Sequence, residues 1–267
     1  MGDENENEFD IVAELFDAID KGRDVDNLLK ADHDLNKVNG LDLTPLIAMS
    51  SEGNIEVVKK LLEAGANVNQ ANNKKNTALI AASINGHIEV VSFLLTKGAN
   101  VNQANKEGVT PLYLASYKGH TEVVSMLLAK EGIEVNQAKN DGDTPLIAAS
   151  DRGHKEVVKK LLEAGAKVNQ ANKEGVTPLI AAGGHEEVVE ILKNHLPVAH
   201  AVAIKKPGDG PMSSLKKYNK KPPIGGRRPR RRKKSKKKRK KSKRKTKRKK
   251  PKRKTKRKTK RKTKRKR

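Results

Sequence analysis

The sequence predicts an all-α solenoid of about six stacked helix-turn-helix units, followed by a disordered basic tail. The first observation behind this prediction is a period of 33 or 34 residues in the tripeptide Thr-Pro-Leu, once replaced by Thr-Ala-Leu. It begins at Thr44, Thr77, Thr110, Thr144 and Thr177. The second observation is that 39 of the 59 Lys and Arg residues lie after residue 204. A fixed period of this length is typical of repeat architectures, whereas a dense run of like charge prevents collapse.

The net charge of +28 combines two oppositely charged halves. After residue 204 the only acid is Asp209, so this part carries +38, and residues 1–204 carry −10. Nearly all apolar residues lie in the acidic half, so only this half can bury a core. The apolar residues after residue 204 are Met212, Leu215, Tyr218 and Ile224.

Composition also excludes several classes of protein. The chain has no Cys, which excludes disulfides, thiolate metal sites and cysteine nucleophiles and fits a reducing compartment. Its first ten residues are acidic, unlike a secretory signal, and Glu6 stands where a myristoylation signal needs Ser or Thr. The longest apolar run, 196–204, is interrupted by Pro197 and is too short for a membrane helix. We therefore expect neither export nor a membrane anchor.

Each unit has the signals of two helices and a turn, as residues 142–174 illustrate. Thr144 is a good N-cap and Pro145 suits the first helical position. Gly153-His154 then reverses the chain before a second helix, and Gly165 is placed to end that helix in a left-handed conformation. The second helix has one apolar face, formed by Val157, Val158, Leu161 and Leu162. Since a single unit cannot hide this face, neighbouring units must stack.

Two segments show the repetition almost letter for letter. Residues 56–72 and 156–172 differ only at Asn67 and Lys167. With the Thr-Pro-Leu and Gly-His motifs, these segments resemble the ankyrin repeat over about residues 9–196. The resemblance implies a curved ankyrin-repeat α-solenoid, with extended turns projecting between the helix pairs and atypical first and last units acting as caps.

The predicted organisation has four parts. An acidic extension covers residues 1–8, the solenoid covers 9–204, a Pro/Gly linker covers 205–226 and a disordered poly-basic tail covers 227–267. Within the solenoid we place repeats at about 9–41, 42–74, 75–107, 108–141, 142–174 and 175–196.

The chain departs from the family pattern at two sets of positions. An apolar or aromatic residue replaces the family's usual His after Thr-Pro-Leu, and Asp42 and Lys75 replace the turn Gly. Lys tolerates positive φ poorly, so we expect an irregular turn at Lys75. The residues in place of His are Ile47, Ile80, Tyr113, Ile147 and Ile180.

No catalytic or cofactor motif is present, and we predict neither an enzyme, nor a metal site, nor a cofactor. One His recurs at the start of each second helix: His87, His120, His154 and His185. A metal ladder is one interpretation and structural capping is the other. Equivalent atoms of adjacent repeats lie about 8 to 10 Å apart, too far to share a zinc ion with bonds of about 2 Å. The spacing therefore favours capping.

The resemblance implies that a protein partner meets the turns and the exposed side of each first helix. Along the helices the matching positions are Ser51, Glu52, Ile84, Asn85, Tyr113, Tyr117, Lys118, Asp151 and Arg152. At the turns they are Leu41, Leu43, Lys74, Asn76, Lys106, Val109, Asp141, Asp143, Lys173 and Val176. A second interpretation is that Tyr113 and Tyr117 only pack between units; it is favoured for Tyr113, since Tyr117 should be more exposed.

Three interpretations remain open for the tail. A cluster of cations resembles a nuclear import signal: Arg227, Arg228, Arg230, Arg231, Arg232, Lys233 and Lys234. Phosphate neutralisation would give nonspecific nucleic-acid binding, without stacking on aromatic residues, since none follows Tyr218. The tail could also be solvated and contact any acidic surface, including its own solenoid. In composition it resembles tails of proteins from large DNA viruses that infect eukaryotes.

Together these observations predict a noncatalytic interaction protein whose basic tail directs it to the nucleus or nucleolus of a eukaryotic or virus-infected cell, or onto nucleic acid. The cytoplasm is the alternative location. The alternative function is a nucleic-acid-associated or packaging protein in which the solenoid is a spacer. Neither a membrane nor a small-molecule substrate is expected.

Overall fold

A computed structural model describes residues 10–31 and 33–196. Within these residues the chain forms twelve α-helices and no strand, so the predicted all-α class is confirmed. The helices are α1 (Ile11–Asp20), α2 (Asp26–Lys30), α3 (Pro45–Glu52), α4 (Ile55–Glu63), α5 (Ala78–Asn85), α6 (Ile88–Thr96), α7 (Pro111–Lys118), α8 (Thr121–Leu128), α9 (Pro145–Asp151), α10 (Lys155–Glu163), α11 (Pro178–Ala181) and α12 (Glu186–His195).

The helices form six consecutive pairs, one in each predicted repeat, and stack in two layers. The first helices of successive repeats, α3, α5, α7, α9 and α11, pack on one another in chain order. The second helices, α4, α6, α8, α10 and α12, do the same. The buried valines and leucines of the second helices make one continuous core with the first layer. Each pair thereby covers the apolar face that its neighbour cannot hide alone.

Every first helix from α3 onward begins at a capping threonine. The Thr110 hydroxyl accepts a hydrogen bond from the Tyr113 amide at 3.1 Å, and Thr44, Thr77, Thr144 and Thr177 make the equivalent bond. In all but α5 a proline occupies the first turn, where its missing N–H is not needed. The recurring tripeptide is therefore a helix start signal.

The recurring histidines join each repeat to the one before it. Nε2 of His154 donates to the carbonyl oxygen of Tyr117 at 3.2 Å, at the end of the preceding first helix. His87, His120 and His185 donate in the same way to the carbonyls of Ser51, Ile84 and Asp151. These bonds satisfy carbonyls that a helix end leaves unpaired. The histidines stand at the N-cap positions of α6, α8, α10 and α12 but make no side-chain capping bond there, so they cap the preceding first helix rather than their own.

The glycine that ends each of α3, α5 and α7 is needed for close contact as well as for its left-handed backbone conformation. Gly119 ends α7 with a φ of 77°, and a Cβ added there would lie 2.6 Å from the His154 ring. No other residue fits both conditions. The glycine of one repeat and the histidine of the next thus pack directly against each other.

The turns that project between helix pairs, which we call tips, are short hydrogen-bonded loops. They cover residues 39–43, 72–76, 105–109, 139–143 and 172–176, and each is closed by a bond from its first amide to its last carbonyl. Asparagine side chains link neighbouring tips: Asn105 Nδ2 donates to Asn76 Oδ1 at 2.9 Å, and Asn172 Nδ2 donates to Asp143 Oδ1 at 2.7 Å.

The expectation of an irregular turn at Lys75 is wrong. Lys75 has a φ of 60°, close to the 61° of Asp42, and its amide donates to the Asn72 carbonyl just as the Gly108 amide donates to that of Asn105. The bonds within and between the tips hold this left-handed residue in place, so the turn keeps its geometry at an energetic cost.

The predicted acidic extension (1–8), the Pro/Gly linker and the basic tail lie outside the described residues, as does the end of the predicted solenoid after residue 196.

Candidate functional site

The tips and the exposed side of the first helices form one face of the solenoid, which we call the concave face. The tips contribute their residues unequally. The sequence predicted two contact residues in each tip. The first of the two is exposed in every tip: Leu41, Lys74, Lys106, Asp141 and Lys173. From the second tip onward the other member is buried: Asn76, Val109, Asp143 and Val176. The prediction that both meet a partner is therefore wrong for these four, whose side chains pack or hydrogen-bond between repeats.

At the ends of the first helices the predicted residues line up across successive repeats. Glu52 and Lys118 are exposed, whereas Ser51, Ile84, Asp151 and Arg152 are partly buried. Asn85 is exposed, yet its amide nitrogen donates to the Ser51 carbonyl at 3.1 Å and to the Ser51 hydroxyl at 3.2 Å. Asn85 thus bridges two repeats and offers a partner mainly its amide oxygen.

A stack of two aromatic rings and a guanidinium lies at the centre of the concave face. The rings of Tyr113 and Tyr117 are 6.4 Å apart and nearly parallel at 11°, because residues four apart share one side of a helix. The guanidinium carbon of Arg152 lies 4.2 Å from the Tyr117 ring centroid, and Arg152 also donates to the Tyr117 hydroxyl. The stack therefore crosses the boundary between α7 and α9.

Tyr113 is corrected as a partner-binding residue. It is only 6% exposed and packs with Ile80 and Ala148 of the flanking repeats. Nζ of Lys139 lies 5.9 Å from its ring centroid. The structure thus supports the second interpretation for Tyr113, packing between units, while Tyr117 remains partly exposed above it.

The electrostatics beside the stack reflect partial burial. Burial raises the pKa of the Asp151 carboxyl; the Arg152 guanidinium, whose Nε lies 3.3 Å away, opposes this, and the charge of Asp143 adds to it. Burial lowers the pKa of His154, against the effect of its bond to the Tyr117 carbonyl. Arg152 thus lies between the Tyr117 ring and the Asp151 carboxylate.

A shallow groove with both apolar and polar lining lies on the same face, in the second and third repeats. It has a volume of about 100 Å³, and its lining includes Leu41, Ile47, Ile80, Ile84 and Lys74. Leu41 is 60% exposed, while Ile47 and Ile80 form the buried floor. This groove was not predicted from the sequence, although the isoleucines in place of the family's histidines, Ile47 and Ile80, are its signal.

Within residues 10–31 and 33–196 no group of three His, Asp or Glu side chains is arranged to hold a metal ion. Among the helices that the structure describes, none is long and apolar enough to cross a membrane. The predicted import residues Arg227, Arg228, Arg230, Arg231, Arg232, Lys233 and Lys234 lie outside the described part of the chain.

The stacked helix pairs, their capped starts and the projecting tips define a repeat solenoid. The family model for ankyrin repeats matches residues 15–105, 53–139, 95–172 and 136–198. The chain belongs to the ankyrin-repeat family, whose repeats generally mediate protein–protein interaction. No curated protein matches the chain, so the compositional resemblance of the tail to viral proteins has no support from a relative.

Proposed function

We propose that the protein is a noncatalytic scaffold that binds another protein through the concave face, chiefly through Ile84, Tyr117 and Arg152. The observation that carries this proposal is the stack of Arg152 on Tyr117, held in place across two repeats yet partly open to solvent. Tyr and Arg are the residue types most enriched among interface hot spots. Their fixed positions reduce the conformational entropy that binding would otherwise cost.

The groove and the stack together suit a partner segment that runs along the first helices. Ile84 lies between them, since it lines the groove and packs against the cluster that contains Tyr113. An apolar partner side chain in the groove would cover Leu41, while polar partner groups would meet Tyr117 and Lys118. Burial of apolar area then supplies affinity and the polar groups supply specificity.

The test uses the full chain with Ile84→Ala, Tyr117→Ala and Arg152→Ala combined. A matched control carries Ile88→Ala, Lys97→Ala and Glu122→Ala, three exposed positions on or next to the second helices. A protein that the wild type captures should bind the first variant at least about thirtyfold more weakly, the loss expected of one hot spot, and bind the control unchanged. Equal affinity in a folded variant would place the site elsewhere.

We further propose that the basic tail directs the protein to the nucleus or nucleolus, or contacts nucleic acid. The support is its sequence: a run of Arg and Lys from Arg227 to Lys234, followed by continued charge to residue 267. Import receptors bind short basic clusters, and phosphates attract any such density of cations.

The import function can be tested in cells by replacing the seven cations between residues 227 and 234 with Gln. The control replaces seven cations between residues 256 and 264 and so removes the same charge. Nuclear accumulation should be lost only in the first variant. Equal loss in both would mean that total charge, rather than this cluster, sets the location.

The alternative function is nucleic-acid packaging with the solenoid as a spacer, which the 39 cations after residue 204 favour. Affinity for duplex DNA should then fall with salt at a slope of about −0.9 per phosphate neutralised, with no preference for base sequence. Deleting residues 205–267 separates the two functions. A scaffold keeps its protein partner, whereas a packaging protein loses its activity.

A further inference from the structure

The last repeat has an apolar position that the second to fifth repeats cover. Ile180, the third residue after the Thr177 cap, is 54% exposed. Its equivalents Ile47, Ile80 and Ile147 are 3%, 0% and 1% exposed. Sequence cannot account for the difference, because the residue type and the local motif are the same.

The cover in the earlier repeats comes from the following repeat. Ile147 packs in a cluster with Val176 and Ala181, and Ile80 packs in a cluster that includes Val109. In each case a valine just before the next capping threonine takes part. Ile180 lacks cover because no further repeat follows it in the described residues.

The second helix of the last repeat also lacks the cover that a following repeat provides. Val189 of α12 is partly exposed, whereas its equivalent Val158 of α10 is fully buried. Leu179, next to Ile180, is also partly exposed, while its equivalent Leu146 is buried. Leu179, Ile180 and Val189 are thus apolar residues that the last repeat leaves without the cover of a following repeat, and we call these three residues the end patch.

We propose that residues 197–204 fold back over the end patch and complete the last repeat. This segment reads Pro-Val-Ala-His-Ala-Val-Ala-Ile, without a Lys, Arg, Asp or Glu, directly before the highly basic part of the chain. It supplies valine and alanine, the residue types that cover Ile147. Burying the end patch removes apolar area from water on both sides of the contact.

The chain can reach the patch without strain. A short turn joins α11 to α12, so the two helices run in opposite directions and the end of α12 returns toward the start of α11. From Leu196, eight extended residues span up to about 27 Å. The segment is therefore long enough to reach Ile180 from the end of α12.

Because the chain has no Cys, an introduced pair reports this contact directly. The test pair is Ile180→Cys with Val202→Cys in the full chain, and the control pair is Ile180→Cys with Ile224→Cys. In a flexible chain, doubling the separation from 22 to 44 residues should slow disulfide formation only about threefold. If the segment docks, the test pair should oxidise at least about thirtyfold faster than the control.

A ratio near threefold would overturn the proposal. A covalent dimer formed by Ile180→Cys alone would overturn it as well, since a second copy would then occupy the patch. Amide exchange gives an independent measurement: Val198→Asp, Val202→Asp and Ile204→Asp together should speed exchange in residues 178–195 about tenfold or more. The matched control, Leu215→Asp, Tyr218→Asp and Ile224→Asp, should leave it unchanged, and equal exchange in both variants would contradict docking.

Discussion

The guanidinium carbon of Arg152 lies 4.2 Å from the centroid of the Tyr117 ring, in the neighbouring repeat. The two residues are 35 positions apart, about one repeat, and the helix ends that carry them stand side by side. The same pair supplies a contact between repeats and the centre of the proposed binding face. One interaction therefore contributes to stability and lies in the face proposed for binding.

A double-mutant cycle measures this interaction. Tyr117→Leu and Arg152→Met should show a coupling of about 0.5–1 kcal/mol in the free energy of unfolding, the range for a partly exposed cation–π pair. Tyr117→Phe should keep most of that coupling, because the ring remains and only the hydroxyl bond is lost. Urea unfolding supplies the values. Additivity of the two substitutions within about 0.3 kcal/mol would show that the stack adds nothing to stability.

The left-handed residue Lys75 predicts a stabilising substitution. Lys75→Gly should raise the free energy of unfolding by about 0.5–1 kcal/mol, because glycine adopts a φ of 60° without a Cβ penalty but is more flexible when unfolded. The converse change, Gly108→Ala, should be clearly destabilising, since its Cβ would lie 2.8 Å from the backbone nitrogen of Asn140. A loss of stability in Lys75→Gly would mean that the lysine side chain outweighs the strain.

One buried serine recurs in every full repeat near the end of the first helix. The hydroxyls of Ser50, Ser83, Ser116 and Ser150 are fully buried and have no hydrogen-bond partner among the described residues. Ser83→Ala should therefore leave stability unchanged or raise it by up to about 1 kcal/mol. Thr110→Ala, which removes a satisfied cap, should cost about 1 kcal/mol. Similar losses in both variants, measured by urea unfolding, would show that the serine hydroxyl is hydrogen-bonded.

The lowered pKa of His154 predicts a loss of stability in mild acid. Burial favours the neutral ring in the folded state, while the unfolded chain takes up a proton near pH 6.5. Unfolding below this pH is therefore accompanied by proton uptake at His154. The contribution of His154 to the free energy of unfolding is constant above about pH 7. It falls as the pH drops through 6.5 toward the pKa of the folded state. His154→Gln should lower stability at pH 7 but flatten the decline to pH 5. Parallel curves for both proteins would assign the decline to other groups.

The sequence by itself determined the fold class and the order of the repeats. The Thr-Pro-Leu spacing located each first helix, and the Gly-His pairs located each reversal, because capping and turn formation depend on a few neighbouring residues. It also favoured a structural role for His154 and its equivalents, since the repeat distance is too long for a shared metal ion. The candidate positions on the concave face followed from the same register.

Only the tertiary structure decided which of those positions a partner can reach. Tyr113 and Tyr117 lie one helical turn apart, yet a neighbouring alanine covers the first ring and an arginine stacks on the second. Ile147 and Ile180 occupy the same motif, yet within residues 10–31 and 33–196 only Ile147 has a following repeat to cover it. Burial depends on contacts between residues about 33 positions apart. A local motif repeats identically in the chain, but its exposure is set by what packs against it.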